Sequence, residues 1–187
     1  VPPTACIIQE ELGLPETCLS IEIKHGCSGW VVGLNSAASL IMGGCLKRAL
    51  LLCGDTSTLL HSPFDKETRP LFGDAGSCTA LEFDTIASTL EFEHGTRGKD
   101  FKSIYTPVGG CRNAVTAKDL EFIEYGPNQL RRNIDCTMDG MNVFAFGMSV
   151  APKSVKRLAE KYVLNLEQMD YLFLHQANHY MNEKIRK

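Results

Sequence analysis

Residues 21–30 read Ile-Glu-Ile-Lys-His-Gly-Cys-Ser-Gly-Trp. Apolar and polar side chains alternate at the start of this stretch, which predicts a strand over 19–24 with one buried face. Gly26 predicts a sharp turn, and the uncharged, mostly apolar segment 28–46 predicts a fully buried helix. Cys27 is therefore expected between a strand and the first turn of a helix.

The composition of the chain is that of an ordinary globular protein. Of its 187 residues, 44% are apolar and 22% are charged, and the net charge is -3. This balance gives no overall basic field for binding nucleic acid. A membrane span over 28–46 is rejected because the segment holds polar residues and paired glycines and is followed at once by a predicted strand.

Eight cysteines are spread along the chain, and no two of them have the C-x-x-C spacing of zinc or thioredoxin sites. We therefore expect no metal and no cofactor. A disulfide framework is not expected in a chain of this length without a secretory signal, which favours reduced cysteines and a cytoplasmic location.

The remaining elements follow from periodicity and from turn residues. A helix over 4–12 is expected to end at Gly13, and Pro152 is expected to divide a helical region into two helices. The other predictions are a buried parallel strand at 49–53, a hairpin of 77–83 with 88–93, a buried strand at 171–174, a helix from Gln176 onward, and loops at 61–72 and 95–133.

His175 follows the predicted strand 171–174 as Cys27 follows the predicted strand 19–24. A thiol at the start of a helix is favoured as thiolate by the unpaired N–H groups and the helix dipole, and a histidine can exchange protons beside it. The same N–H groups can stabilise an oxyanion on an attacked thioester. Cys27 and His175 are therefore the candidate catalytic pair, with Gln176 and Asn178 as polar neighbours of the histidine.

Each candidate also has a structural interpretation. A cysteine is more often an inert core residue, and a lone histidine after an apolar strand is more often a satisfied core residue. His25 lies two positions from Cys27, but Gly26 breaks the geometry, so it is interpreted as structural. The other histidines, His61, His94 and His179, are interpreted as surface residues.

Five motifs, in order, resemble the type III 3-oxoacyl-(acyl-carrier-protein) synthases of the thiolase-like superfamily. They are Pro-Thr-Ala-Cys-Ile-Ile-Gln at 3–9, Gly-Cys-Ser-Gly at 26–29, Phe-Gly-Asp-Ala-Gly-Ser at 72–77, Met-Asp-Gly-Met-Asn-Val-Phe at 138–144 and His-Gln-Ala-Asn at 175–178. No single motif is decisive, but the five together are specific.

The resemblance implies an α/β fold with the αβαβα layers of the thiolase type, built from two similar halves. Residues 1–133 would belong to the N-terminal half and residues 134–187 to the C-terminal half. Met138, Gly140 and Phe144 would border the substrate tunnel. The chain begins without Met and stops inside a predicted helix, so we expect a central fragment that lacks terminal segments of the fold.

The resemblance also implies a reaction and its partners. Cys27 would take the acyl group of an acyl-CoA, and malonyl-acyl-carrier protein would decarboxylate and attack it, with His175 supporting decarboxylation. The enzyme would be a homodimer. The family's third catalytic residue, an asparagine, would lie beyond Lys187, so the chain alone is expected to be inactive.

Two departures from the family pattern leave alternatives open. Tyr180 occupies a position that is often basic in the family and helps to dock the acidic carrier protein, and Trp30 stands where Phe is common. A condensing enzyme of secondary metabolism or one like hydroxymethylglutaryl-CoA synthase stays possible on the sequence. So do two other classes, a cysteine acyl hydrolase and a non-catalytic scaffold.

Overall fold

The computed structural model describes residues 2–186. The chain forms two compact units: the first comprises Val1–Cys53 and Ser77–Leu90, and the second Gly54–Gly76 and Glu91–Lys187. The division into halves at 133/134 stays a prediction, and its outermost residues, Val1 and Lys187, lie outside the described part. Each unit is described by itself below.

The first unit holds two helices and the larger part of two strands. They are α1 (Thr4–Glu11), α2 (Gly29–Met42), β1 (Arg48–Thr56) and β2 (Asp74–Glu82). The predicted end of α1 is confirmed: Gly13 has φ +60°, a left-handed conformation that glycine adopts without a steric penalty.

Helix α2 lies close to β1 because Gly33, in its second turn, carries no side chain. A Cβ atom at Gly33 would stand 2.6 Å from Cδ1 of Leu51. The indole N–H of Trp30 donates to Thr79 Oγ1 of β2 at 3.0 Å, which ties the first turn of α2 to the second strand. The expectation of a fully buried helix is wrong, however, since only Gly33 and Ile41 of α2 are buried.

Strands β1 and β2 pair with each other. The N–H of Phe83 donates to the carbonyl of Lys47, and Ser77 Oγ donates to the carbonyl of Cys53, so the two strands run in opposite directions. The strand predicted at 49–53 is confirmed within β1, but its parallel direction is wrong, and so is the predicted hairpin of 77–83 with 88–93. Alternation indicates a strand with one apolar face, but tertiary structure selects its partner.

The segment 88–93 is not a strand because its end is bound to a helix of the second unit. The carbonyl of Phe92 accepts a hydrogen bond from Tyr162 Oη at 3.0 Å. The Glu93 carboxylate pairs with Arg157 Nε at 2.8 Å. The Phe92 carbonyl, which a hairpin could have used for its ladder, is thus bonded to this helix.

The second unit contains two two-stranded ladders and two helices. The elements are β3 (Ile104–Tyr105), β4 (Ile123–Gly126), β5 (Gln129–Arg131), β6 (Thr137–Met138), α3 (Gly140–Tyr162) and α4 (His179–Arg186). Strand β3 pairs with β6, and β4 pairs with β5, both antiparallel. Strands β3, β4 and β5 lie within 95–133, the segment that the sequence predicts as loop.

Helix α3 runs unbroken through Pro152, so the predicted division into two helices is wrong. Proline removes one helical hydrogen bond, and the other bonds along the 23-residue helix hold it as one element. Asp139 caps the helix by accepting the N–H of Asn142 at 2.9 Å. Val163 ends it with a left-handed φ of 54°.

Two predicted strands, at 19–24 and 171–174, are not strands in the described residues. Both segments lack ladder partners, and a strand exists only where its N–H and C=O groups pair with a neighbour. The predicted burial at 171–174 is also wrong, because Phe173 is 90% exposed. The helix expected from Gln176 begins at His179.

Buried residues are mostly polar. Among residues 2–186 the buried apolar side chains are Ile41 and Met181, whereas the buried polar ones are His61, Ser62, Asp65, Thr68, Arg131 and Asp135. All six polar residues belong to the second unit. Over the same range, no helix combines the length and apolarity needed to cross a bilayer.

Candidate active site

Cys27 lies in the turn that immediately precedes α2, and it is exposed. The turn is closed by the N–H of Gly29, which donates to the carbonyl of Gly26 at 2.8 Å. Ser28 occupies the N-cap position but makes no side-chain cap. Because the first N–H groups of a helix have no intrahelical partner, they can serve an oxygen atom held beside the thiol.

His25 makes a local contact, as the interpretation of this residue as structural requires. Its Nδ1 lies 3.3 Å from Ser28 Oγ, the N-cap residue of α2. This contact ties the end of the extended segment to the start of the helix. It also gives the Ser28 hydroxyl a partner other than the helix backbone.

His175 lies in an exposed extended segment four residues before α4. Its carbonyl accepts the N–H of Ala177 at 2.9 Å. Gln176 Nε2 donates to the carbonyl of Leu174, and Asn178 Oδ1 accepts the N–H of Met181, which caps α4. Gln176 and Asn178 thus shape the backbone on both sides of the histidine. Cys27 belongs to the first unit and His175 to the second.

The three candidate substrate residues stand at the start of α3. Met138 lies in β6 opposite Ile104, and Gly140 is the first residue of the helix. Phe144 stacks on Tyr180 of α4, with ring centroids 6.1 Å apart and an interplanar angle of 19°. Tyr180 therefore packs against a candidate substrate residue while it remains 59% exposed.

A cavity of about 460 Å³ lies beside β6 in the second unit. Met138 lines it, whereas Gly140 and Phe144 are not among its lining residues. The wall is formed by Lys102, Tyr105, Pro107, Ile123, Tyr125, Arg131, Arg132, Asn133, Thr137, Met138 and Asp139.

Residues 21–98, which include Cys27, match the family described as 3-Oxoacyl-[acyl-carrier-protein (ACP)] synthase III. The chain is 31% identical over its full length to a putative 3-oxoacyl-[acyl-carrier-protein] synthase 3 of Campylobacter jejuni, of which it covers 52%. It is 29% identical to a beta-ketoacyl-[acyl-carrier-protein] synthase III of Clostridium kluyveri and covers 54% of that protein.

Solved structures agree with the sequence comparisons. A 2.1 Å crystal structure of a 3-oxoacyl-(acyl-carrier-protein) synthase III matches with a TM-score of 0.89 and 32% identity over 100% of this chain and 56% of that one. The corresponding Burkholderia xenovorans enzyme matches with a TM-score of 0.80 and 32% identity, over 99% of this chain and 51% of that one. In sequence and in structure, the chain is similar over its own length to 3-oxoacyl-[acyl-carrier-protein] synthase III proteins.

The thiolase-like α/β fold expected from the motifs is thereby confirmed. The chain spans about half the length of the synthase III relatives that it matches.

The most extensive polar network among the described residues was not predicted from the sequence. Asp65 is 1% exposed and accepts hydrogen bonds from Arg131 Nε at 2.7 Å and Nη2 at 3.0 Å. Arg131 Nη2 also donates to Glu67 Oε2 at 2.9 Å. Burial alone would raise the pKa of Asp65, but hydrogen bonds from Arg131, Thr68 and nearby N–H groups lower it to about 2.

A second ion pair extends this network toward β6. Arg132 Nη2 donates to Asp135 Oδ1 at 2.7 Å, and Asp135 is 1% exposed. The N–H of Cys136 donates to the carbonyl of Leu60 at 2.7 Å. Together these bonds hold the segment around 60–68 to residues 131–136, which lead into Met138.

His61 belongs to the same buried region, so its interpretation as a surface residue is wrong. It is 4% exposed, its ring stacks on Phe72 with centroids 4.1 Å apart, and its Nδ1 donates to the carbonyl of Ser57. The sequence holds only a weak signal of this buried polar region, namely the many hydrogen-bonding side chains in 57–68. Asp65 and Thr68 stand three residues apart there, the spacing at which an aspartate can cap its own turn.

Cysteine environments also differ within the chain. Cys136 is half-buried, and burial raises the pKa of its thiol. Cys27 is exposed at the start of a helix. A buried thiol of raised pKa is a poor nucleophile, so Cys136 is not a competing candidate for acyl transfer.

Proposed function

We propose that this chain carries the nucleophile of a condensing acyltransferase of fatty-acid biosynthesis. The observation that carries the proposal is the position of Cys27, exposed in a glycine-flanked turn directly before α2. Its thiolate attacks the thioester carbonyl of an acyl-CoA, the C–S bond to CoA breaks, and CoA leaves as a thiol after taking up a proton. The product is an acyl-cysteine.

The second half of the proposed reaction forms the carbon–carbon bond. Malonyl-acyl-carrier protein loses CO₂, which leaves an enolate of the acetyl thioester. The enolate carbon attacks the acyl group on Cys27, and the Cys27 thiolate departs from the tetrahedral intermediate. His175 hydrogen bonds to the developing enolate oxygen and stabilises the charge that decarboxylation creates.

The setting of the enzyme belongs to the same proposal. It acts as a homodimer in the cytoplasm, with acyl-CoA and malonyl-acyl-carrier protein as its substrates. The names of the relatives support the carrier protein as a partner. Within residues 2–186 all eight cysteines are free, which is compatible with a reducing compartment.

Incubation with acetyl-CoA and butyryl-CoA separates a condensing enzyme from a cysteine hydrolase. We expect a lasting acyl adduct and at most one equivalent of released CoA per chain, without continuing release of free acid. Cys27→Ala should abolish the adduct. Cys45→Ala, which changes another exposed cysteine of the first unit, should leave it intact. Continuous production of free acid would identify a hydrolase instead.

The role of His175 has a separate test. In a protein long enough to supply the expected third catalytic residue, we expect His175→Ala to lower CO₂ release from malonyl-acyl-carrier protein at least about 100-fold while it changes acylation of Cys27 less than about threefold. His179→Ala, which alters an exposed histidine at the start of α4, is the matched control and should change neither rate. Equal effects of the two substitutions would exclude a specific role for His175.

A further inference from the structure

The cavity beside β6 is lined by more cationic than anionic side chains. Three of its lining residues carry a positive charge, namely Lys102, Arg131 and Arg132, whereas Asp139 is the one carboxylate among the lining residues of the described chain. Its volume of about 460 Å³ falls within the usual range of small-molecule sites. All lining residues lie in the second unit, which makes this cavity a property of that unit alone.

Arg131 is held rigidly at this wall. Its side chain is 2% exposed, and its guanidinium lies over the ring of Tyr125, with Cζ 4.4 Å from the ring centroid. The hydrogen bonds to Asp65 and Glu67 come from Nε and Nη2, and Nη1 takes part in none of them. Because this guanidinium is buried and paired with two carboxylates, it shapes the wall and does not itself contact a ligand.

Arg132 repeats the arrangement one residue later. It bonds to Asp135 through Nε and Nη2, again without Nη1, and its Cζ lies 5.1 Å from the ring centroid of Phe122. Its side chain is 27% exposed, so part of it can reach a ligand. Two guanidinium groups on consecutive residues are therefore both oriented by buried carboxylates.

The remaining charges of the wall also favour an anion. Lys102 forms no ion pair with any described carboxylate, and its Nζ lies 5.8 Å from the ring centroid of Phe101. Asp139 is occupied, since its two oxygens accept the N–H and the Nδ2 of Asn142. The repulsion that this carboxylate would exert on an anion is reduced by both hydrogen bonds.

Apolar groups complete the cavity. Pro107, Ile123 and Met138 contribute aliphatic surface, and Tyr105 and Tyr125 contribute aromatic rings. An inorganic anion would leave this surface in contact with water, whereas an anion on a compact apolar body would cover it. The wall therefore matches a ligand that carries both an anionic group and a compact apolar body.

We propose that the cavity beside β6 is a binding site for a small organic anion, a carboxylate or phosphate ester on a compact apolar or aromatic body. Lys102 and the exposed part of Arg132 hold the anionic group, and the aliphatic and aromatic side chains hold the body. The inference rests on the second unit itself and does not depend on the reaction proposed for Cys27.

Calorimetric titration of the full chain with phenyl phosphate and benzoate tests the proposal, with benzyl alcohol and inorganic phosphate as comparisons. We expect saturable binding of at least one aromatic anion, weakened at least about threefold between 50 and 300 mM salt. Benzyl alcohol and inorganic phosphate should each bind at least about tenfold more weakly. Benzyl alcohol that binds as tightly as the aromatic anions would overturn the requirement for a negative charge. Inorganic phosphate that binds as tightly would overturn the requirement for an apolar body. The absence of saturable binding would overturn the whole proposal.

Variants locate the binding in the cavity. Lys102→Met removes an exposed cation of the wall and should weaken the aromatic anion about fivefold or more. Lys118→Met removes an exposed cation outside the wall and should have no effect, since Lys118 lies in the 3-10 turn Ala117–Leu120. Both variants keep the buried ion pairs, so folding is preserved. Equal affinities for the two variants would place any observed binding elsewhere and overturn the site.

Discussion

Replacing Asp65 by asparagine removes the charge that neutralises a buried arginine. In the native chain the Asp65 and Arg131 side chains are 0% and 2% exposed and lie 2.7 Å apart. The variant leaves the guanidinium buried with only the half-exposed Glu67 as its partner. Removing one member of a buried pair costs about 3–5 kcal/mol, so we expect a loss of that size in the free energy of unfolding at pH 7.

The pH dependence of this difference follows from the pKa of Asp65. Folding lowers that pKa from its ordinary value of 3.8 to about 2. The carboxylate therefore stabilises the folded state fully above about pH 5, and this contribution is lost as the pH falls from about 4 to 2. At 1.36 kcal/mol per pKa unit, the loss is about 2.4 kcal/mol. The difference in the free energy of unfolding between the native chain and the variant should thus narrow by about 2.4 kcal/mol in acid.

Urea unfolding followed by far-ultraviolet circular dichroism, at several pH values between 2 and 7, measures both effects. Asp100→Asn is the matched control, because Asp100 is 41% exposed and pairs with Arg97 at 3.8 Å. That substitution should cost less than about 1 kcal/mol. A difference below about 1 kcal/mol for Asp65→Asn at pH 7, or one that stays constant down to pH 2, would refute the reasoning.

Three further predictions concern a helix end, a strand contact and a thiol. Val163 is 91% exposed and has a left-handed φ of 54°, which is strained for a residue with a Cβ atom. Val163→Gly should relieve about 1 kcal/mol of this backbone strain and raise the thermal midpoint. Val163→Ala should give less than half of that gain. A stabilisation by alanine equal to that by glycine would contradict this. A Cβ at Gly54 would lie 2.8 Å from the Ala75 carbonyl oxygen, so Gly54→Ala should lower the free energy of unfolding by about 1–3 kcal/mol, whereas Gly76→Ala, whose Cβ meets nothing within 4 Å, should cost less. The reverse ranking would be inconsistent with the strand geometry. Iodoacetamide at pH 7 should modify Cys136 at least about tenfold more slowly than Cys27, because Cys136 is half-buried and its thiol pKa is raised by burial. Peptide mass spectrometry measures the two alkylation rates, and comparable rates would show that Cys136 is accessible.

Local features of the chain could be predicted from the sequence. Gly13 ends α1 as expected, since a left-handed residue after a helix strongly favours glycine. The position of Cys27 directly before α2 also follows from the glycines around it and from the apolar run after it. These features depend on a few neighbouring residues, and that information is contained in a short stretch of sequence.

Pairings between distant segments could not be predicted in the same way. The alternation in 77–83 correctly indicates a strand, but its partner is β1 and not 88–93, because Glu93 and the Phe92 carbonyl bind α3. Periodicity records which face of a segment is apolar and contains no information on its neighbour.

The buried ion pairs were missed for a related reason. Asp65 and Arg131 are 66 positions apart, and each stands in a segment rich in turn residues. Charged side chains in such segments usually indicate solvent exposure, and only the fold shows that these two neutralise each other. The cationic cavity wall was missed with them, because two of its cations are positioned by this network.

The most direct test of the proposed acyl transfer is the location of the acyl group after exposure of the chain to acetyl-CoA or butyryl-CoA. The tryptic peptide 25–47 contains both Cys27 and Cys45, so tandem mass spectrometry of this peptide compares two exposed thiols under identical conditions. The account predicts that the acyl mass lies on Cys27, is absent from Cys45 and disappears in Cys27→Ala. An acyl group that is distributed over both cysteines, or that persists in Cys27→Ala, would contradict it.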